Sequence, residues 1–286
     1  MNVYVEDGYI VCSASLISNQ IAVTAASCFL DKEGKVKQDP KLTYIFIGIG
    51  TTKNTRGIDY PARKVHIHSE FSPESLENDI AVIELYSPVL KDIFAPVAIY
   101  SGNVTDDMNL VTAGWGFTSA GPPGLANNEL STAIQSPSSS DVCKDTNNIW
   151  SDNNKNLVCT LVKDGKSLAY DDGGNPLAYM DNGVNLLVGI ASNTGRSGNG
   201  ATISPGNAVT NYYTHVYSYI DWIVNVTGLE KPYLLNTAAR PSPDYSTITG
   251  ILTNGRFSGS DSTSTILQNI GFKLVILFSS VLVLLF

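Results

Sequence analysis

Short runs of β-branched and aromatic residues alternate with clusters of Gly, Pro, Asn and Ser along most of the chain. The clearest runs are TYIFIGIG (43–50), KVHIHSEF (64–71), IAVIELY (80–86), NLVTAGW (109–115) and NLLVGIAS (185–192). Strands of this length and spacing are typical of antiparallel sandwiches and barrels. One segment differs, because YTHVYSYIDWIVNV (213–226) has the apolar period of a helix. The pattern predicts an all-β fold closed by a helix whose apolar side carries Val216, Ile220, Ile223 and Val224.

Charge narrows the possible partners. The 286 residues have a formal net charge of −8. Proteins that bind a phosphate backbone need clustered Lys and Arg to displace counterions, and no such cluster occurs in this sequence. The sequence therefore predicts no nucleic-acid partner.

The chain has four cysteines, Cys12, Cys28, Cys143 and Cys159. None has the CxxC spacing of a zinc or redox site, so no metal and no cofactor is predicted. An even number of cysteines favours disulfides and an oxidising compartment. Four reduced cysteines in the core are the alternative.

Two sequons, at Asn103 and Asn225, would accept N-glycans if the chain enters the secretory pathway. The C-terminus supports that route, because the sequence ends in the apolar run LVILFSSVLVLLF. A polar spacer precedes this run, and the small residues Ser258, Gly259 and Ser260 precede the spacer. This arrangement predicts a GPI-attachment signal. The alternatives are a tail-anchored span starting near Ile266, or a buried terminal helix.

The ends of the chain suggest its domain organisation. Residues 1–227 form the predicted folded domain, 228–265 a Ser/Thr/Pro-rich stalk, and 266–286 the hydrophobic attachment signal. The N-terminus, MNVYVEDGYIVC, lacks the charged and apolar regions of a secretory signal. Because a GPI signal requires secretion, we expect the true beginning of the protein to lie upstream.

The motifs resemble, in their order, the trypsin/chymotrypsin-like serine proteases from about Tyr9 to Val226. The matching segments are CSASLISNQIAVTAASC (12–28), ENDIAVIEL (77–85), TAGWG (112–116), DDGGNPL (171–177), LLVGIAS (186–192) and the closing YTHVYSYIDWI (213–223). The resemblance implies two six-stranded antiparallel β-barrels with the active site in the cleft between them. It also implies the disulfides Cys12–Cys28 and Cys143–Cys159.

The resemblance places the catalytic positions, and two of the three carry the wrong residue. The aspartate is present as Asp79, but Ser27 stands at the histidine position and Gly173 at the nucleophile position. A hydroxyl cannot act as a general base near neutral pH, and glycine has no side chain. Losing nucleophile or base costs about 10⁶ in kcat. The three histidines, His66, His68 and His215, lie outside the matched catalytic loops.

The positions that would surround a substrate in the cleft also differ from the family pattern. The oxyanion-hole positions are Asp171 and Gly173, so a carboxylate stands where negative charge develops. Ser192, Asn193 and Thr194 occupy the edge where family members carry Ser-Trp-Gly. Ser167 lies at the base of the specificity pocket, so no preference for Arg or Lys is implied.

These residues predict an inactive protease homologue on the outer face of the plasma membrane or cell wall. It would be held there by a lipid anchor and would bind a protein or peptide. The alternatives are an active endopeptidase with an unrecognised Ser/His arrangement, a structural surface glycoprotein, or the product of a decaying gene.

Overall fold

The computed structural model describes residues 2–5, 8–31, 33–36, 43–47, 58–90, 95–114, 130–163, 167–168, 172–196 and 208–238. Fourteen strands lie in this part of the chain. The first seven are β1 (Asn2–Val5), β2 (Gly8–Val11), β3 (Ser15–Leu16), β4 (Ile21–Thr24), β5 (Thr43–Ile47), β6 (Ile58–Ile67) and β7 (Ala81–Leu85). The others are β8 (Ala98–Ile99), β9 (Leu110–Gly114), β10 (Ser131–Pro137), β11 (Leu157–Leu161), β12 (Pro176–Asp181), β13 (Val184–Arg196) and β14 (Ala208–His215).

The helices are few and short. Those in the described residues are α1 (Asp141–Thr146), α2 (Ile220–Thr227), α3 (Lys231–Leu235) and two 3₁₀ turns, Ala26–Phe29 and Val216–Tyr219. No helix in the described part of the chain is long and apolar enough to cross a membrane.

The second sheet is a closed barrel. Its strands follow the order β12-β9-β10-β11-β14-β13, and β13 pairs back onto β12, so six antiparallel strands form a ring. The short strand β8 adds to β13 in parallel. Alternate side chains of these strands point inward, and they include Leu110, Val158, Leu177, Val188 and Tyr213, which form one buried cluster.

The first sheet has seven strands in the order β2-β1-β5-β6-β7-β4-β3. All its pairings are antiparallel. The end strands β2 and β3 are consecutive in the chain and are joined by Cys12–Ala14. The predicted all-β fold with few helices is confirmed, and the second sheet closes into a six-stranded antiparallel barrel as expected. The first sheet has seven strands where six were expected.

Both disulfides implied by the resemblance are present. Cys12–Cys28 links the end of β2 to the first 3₁₀ turn, and Cys143–Cys159 links α1 to β11. Each closes a loop of 16 residues in sequence, which stabilises the fold by about 3 kcal/mol on the chain-entropy model.

The closing helix starts later than its apolar pattern predicted. Tyr213, Thr214 and His215 belong to β14, where all three pair with β13 and the first two also pair with β11. The 3₁₀ turn begins at Val216, and α2 begins at Ile220. Sheet pairing on two sides satisfies backbone groups that a helix would otherwise bond internally. Val216, Ile220 and Ile223 are buried as predicted, and Val224 packs partly against them.

The folded part also extends past Gly228, where the sequence composition predicted a stalk. Gly228 ends α2 in the left-handed conformation, and α3 follows at Lys231–Leu235. Leu234 is fully buried in the cluster that holds Ile220 and Ile223. The segment up to α3 is therefore part of the domain, and residues after 238 lie outside the described ones.

Candidate functional site

The pairing of β4 with β7 brings Ser27 close to Asp79. Thr24 pairs with Ala81, so the residues just after β4 and just before β7 lie at the same end of the two strands. The Ser27 N–H donates to Asp79 Oδ1 at 2.7 Å, and the Ser27 hydroxyl donates to Asp79 Oδ2 at 3.0 Å. The serine at the histidine position thus holds the aspartate directly.

The second sheet completes the surroundings of Asp79. Ser192, on β13, donates its hydroxyl to Asp79 Oδ2 at 2.7 Å. Thr214, on β14, donates to the Asp79 carbonyl at 2.8 Å. Asp79 therefore lies where the two sheets meet, and side chains from both sheets bind it.

Burial is the largest influence on the pKa of Asp79. The residue has no exposed surface. Loss of hydration raises the pKa of its carboxyl, and the hydrogen bonds from Ser192 and Ser27 partly oppose that rise. The donors that remain to this carboxylate are hydroxyl and amide groups, and neither can take up a proton near neutral pH.

None of the three histidines binds Asp79. His66 Nε2 lies 2.7 Å from Glu84 Oε1. His68 contacts the rings of Tyr219 and Trp222. His215 Nδ1 lies 3.0 Å from the Lys155 carbonyl.

A serine–histidine contact that the sequence motifs do not indicate lies at the end of β14. Ser218 Oγ is 3.0 Å from His215 Nδ1. However, the Ser218 hydroxyl donates to the Lys155 carbonyl at 2.6 Å, so its proton points away from the imidazole. His215 is also only 2% exposed. The pair therefore ties the helix start to the Lys155 loop and lacks the geometry of a nucleophile with its base.

We expect His215 to make stability pH-dependent. Burial lowers the pKa of His215, so the native state binds fewer protons than the unfolded state below the ordinary histidine pKa of about 6.5. The free energy of unfolding should fall as the pH drops below that value, by at most about 1.4 kcal/mol per pH unit. Urea melts at pH 7.5 and 5.5 measure this slope.

The variant His215→Asn keeps a donor for Lys155 and removes the titration. Burial also lowers the pKa of His68, so the wild type and His215→Asn share the contribution of His68. The variant should show the shallower slope. Equal slopes would contradict the assignment.

The loop around Gly173 is held by both sheets. The Gly173 carbonyl accepts from Ser13 N–H at 2.8 Å, and Gly174 N–H donates to the Ala191 carbonyl at 2.9 Å. Within the loop, Asn175 Nδ2 donates to Asp172 Oδ1 at 2.6 Å. A Cβ added at Gly173 would meet the sulfurs of Cys12 and Cys28 at 3.4 and 3.5 Å, which is ordinary contact. The loop therefore has room for a side chain that this sequence lacks.

The predicted substrate edge lies on β13. Ser192, Asn193 and Thr194 are all buried, and a β-bulge falls between Ala191 and Asn193. β14 pairs with one edge of this segment. Within the described residues, no strand pairs with its other edge from Ser192 to Arg196.

The remaining predicted site residues divide into two groups. Ser167 is partly exposed, and Asn103 and Asn225 are exposed. The predicted oxyanion-hole residue Asp171 and the predicted attachment residues Ser258, Gly259 and Ser260 lie outside the described residues.

Two antiparallel β-sheets that meet at a buried aspartate, with a glycine-rich loop held between them, are the arrangement expected of the trypsin/chymotrypsin-like serine proteases. The family model described as Trypsin matches residues 1–223. The chain therefore belongs to the trypsin family.

Curated relatives show the same likeness. Transmembrane protease serine 11G of Rattus norvegicus is 29% identical over 235 residues, covering 78% of this chain and 51% of the relative. Collagenase of Hypoderma lineatum is 26% identical over 234 residues, 76% of each protein. Transmembrane protease serine 11A of Homo sapiens is 30% identical over 227 residues, covering 76% of this chain and 50% of the relative. The chain thus spans about half the length of the two transmembrane proteases.

A solved structure has the same fold. The crystal structure of the scabies mite inactivated protease paralogue S-I1 matches with a TM-score of 0.62 and 22% identity, covering 79% of this chain and 92% of the paralogue.

Proposed function

We propose that this protein is a catalytically inactive member of the trypsin family that binds a protein or peptide in its cleft. One observation carries the proposal. Ser27 stands at the position of the catalytic base, and its hydroxyl donates a hydrogen bond to Asp79. Gly173, at the nucleophile position, has no side chain that could attack. No step of acyl transfer can begin without an attacking atom and a group to take its proton. The inactivated scabies mite paralogue of similar fold supports the same reading.

The groups around the catalytic positions support binding. Asp79 keeps three hydrogen bonds from Ser27 and Ser192, and the Gly173 loop keeps its bonds to Ser13 and Ala191. Among the described residues, no strand pairs with the edge of β13 opposite β14 from Ser192 to Arg196. An extended peptide can add to such an edge as a further strand. The proposed ligand is therefore a segment of polypeptide in extended conformation.

The proposed location is the outer surface of the cell. The exposure of Asn103 and Asn225 leaves both sequons accessible to glycosylation, and two relatives are named transmembrane proteases. The small residues Ser258, Gly259 and Ser260 would carry a GPI anchor. Release of the full-length protein from cells by a phosphatidylinositol-specific phospholipase tests the anchor, and a mass shift after glycosidase treatment tests the glycans.

Catalytic inactivity is tested by restoring the two missing groups. The natural domain should neither cleave a broad peptide library nor react with a fluorophosphonate probe. The double variant Ser27→His with Gly173→Ser should react, since a Cβ at position 173 makes only ordinary contact with the disulfide and both missing catalytic groups are then present. Ser27→His with Gly173→Ala is the matched control without a nucleophile. Cleavage by the natural domain that is abolished by the probe would overturn the proposal.

Peptide binding is tested by selecting ligands from a displayed library with the natural domain. Asn193→Ala and Thr194→Ala should weaken binding of the selected peptides, because both changes alter the packing of the β13 segment that the peptide would join. Val184→Ala is the control, because Val184 lies exposed at the far end of the same strand. If no peptide binds saturably, the proposed binding function is refuted and a structural surface glycoprotein becomes the favoured alternative.

A further inference from the structure

An aromatic cluster joins the first sheet to the closing helix α2. It consists of His68, just after β6, Tyr219, at the end of the second 3₁₀ turn, and Trp222 on α2. The centroid of the His68 ring lies 5.4 Å from that of Tyr219 and 5.0 Å from that of Trp222. Tyr219 is buried, whereas Trp222 is only partly buried. The cluster therefore reaches the surface of the domain at Trp222.

Helix geometry places the asparagine of the second sequon next to this aromatic surface. Asn225 is exposed and follows Trp222 by three positions on α2. Residues three or four positions apart are neighbours on the surface of a helix. A helical side chain also leans back over the turn that precedes it. The side chain of Asn225 therefore leans toward Trp222 and Asp221.

Of these two neighbours, Trp222 is the one that offers apolar surface. The Asp221 carboxylate accepts a hydrogen bond from Lys231 Nζ at 2.9 Å. Covering the exposed part of an indole is favourable, because it removes apolar surface from water. The first N-acetylglucosamine of an N-glycan has a face of C–H groups, whose partial positive charges are attracted to the negative face of an aromatic ring. A sugar on Asn225 thus has a suitable contact within its reach.

We infer that the first N-acetylglucosamine attached to Asn225 packs on Trp222 and stabilises the folded domain through this contact. The inference rests on the proposed glycosylation of Asn225 and is independent of peptide binding in the cleft. In that glycosylation, Asn225 Nδ2 forms a bond to C1 of the sugar and loses a proton, and the pyrophosphate of a lipid-linked donor leaves with the electron pair. Unfolding separates the sugar from the indole, so the contact favours the native state.

Packing on Trp222 is tested by hydroxyl-radical oxidation of the full chain secreted from eukaryotic cells, with each tryptophan followed by mass spectrometry. Trimming the glycans with an endoglycosidase that leaves the first N-acetylglucosamine should not change the oxidation rate of Trp222. Asn225→Gln should raise that rate severalfold, because the sugar no longer shields the indole. Asn103→Gln is the matched control and should leave the rate unchanged, and the buried Trp150 is the internal reference. Equal rates for Trp222 with and without the Asn225 glycan would overturn the inference.

The contribution to stability is tested with a double-mutant cycle on the unfolding equilibrium. With Trp222 present, Asn225→Gln should raise the equilibrium constant of unfolding about fivefold, the factor that corresponds to exposing roughly 40 Å² of apolar surface. Trp222→Leu keeps an apolar side chain over the core but removes the ring, so Asn225→Gln should have a smaller effect in that background. Equal effects in both backgrounds would overturn the inference, because the glycan would then act without Trp222. Circular dichroism establishes that each variant is folded.

Mass spectrometry of the peptide that contains Asn225 distinguishes the possible failures. A glycan at Asn225 that neither protects Trp222 nor couples to it would refute the packing and leave the proposed glycosylation standing. Absence of a glycan at Asn225 in the secreted protein would refute the glycosylation of this site and the packing together. Neither result bears on peptide binding by the cleft.

Discussion

Replacing Gly174 with alanine is expected to lower the free energy of unfolding by about 3 kcal/mol or more. Gly174 has a φ of +79°, where an L-residue costs roughly 1–2 kcal/mol. Its added Cβ would also lie 2.0 Å from the Ser13 carbonyl oxygen and 2.5 Å from Thr24 Oγ1. Ser13 holds the loop through its bond to Gly173, so the backbone must shift, and such overpacking costs typically 1–3 kcal/mol more.

Gly183→Ala is the matched control for this prediction. Gly183 has a φ of +80°, and nothing lies within 4 Å of its added Cβ. It should lose only the roughly 1–2 kcal/mol due to backbone conformation. Chemical denaturation of both variants measures the difference. Equal losses would mean that the loop is not held tightly against the first sheet.

Replacing Leu234 with alanine is expected to cost about 2–5 kcal/mol. Leu234 is fully buried and belongs to the cluster of Ile80, Ile220 and Ile223. Helix α3 lies against β8 and α2. Truncating the Leu234 side chain leaves a cavity that the surrounding side chains cannot fill without moving. Thermal or chemical melts of the domain measure the loss.

Leu90→Ala is the control for this second change. Leu90 is 59% exposed, so its truncation should alter stability by no more than about 0.5 kcal/mol. If Leu234→Ala loses no more stability than Leu90→Ala, then α3 contributes little to the free energy of unfolding, and the part of the chain that stabilises the domain ends at α2. A large loss places α3 in the domain energetically as well as structurally.

Much of the fold could be predicted because strand patterns depend on residues close together in sequence, and because the order of the motifs is visible along the chain. The run at 80–86 contains β7, the run at 185–192 lies within β13, and both disulfides join the predicted pairs. The closing helix was placed too early because Tyr213–His215 also fit a helical period. Pairing with β13, and for Tyr213 and Thr214 also with β11, makes these residues part of a strand.

The candidate site was also only partly predictable from the sequence. Matched motifs identified Ser27, Asp79 and Gly173 as the catalytic positions. The motifs did not indicate that the Ser192 hydroxyl donates to Asp79 across 113 residues of sequence. Nor did they indicate the contact between Ser218 and His215, although both residues lie in the closing segment at 213–223.

The sequence by itself determined which chemical groups are present: no imidazole at position 27 and no hydroxyl at position 173. It also determined where alternating apolar residues make strands, because that pattern depends on neighbours within a few positions. Only the tertiary structure decided that Asp79 is buried with a raised pKa and that two serines donate hydrogen bonds to it. Hydration and hydrogen bonding of a buried group depend on the strands that surround it, and here these strands come from distant parts of the chain.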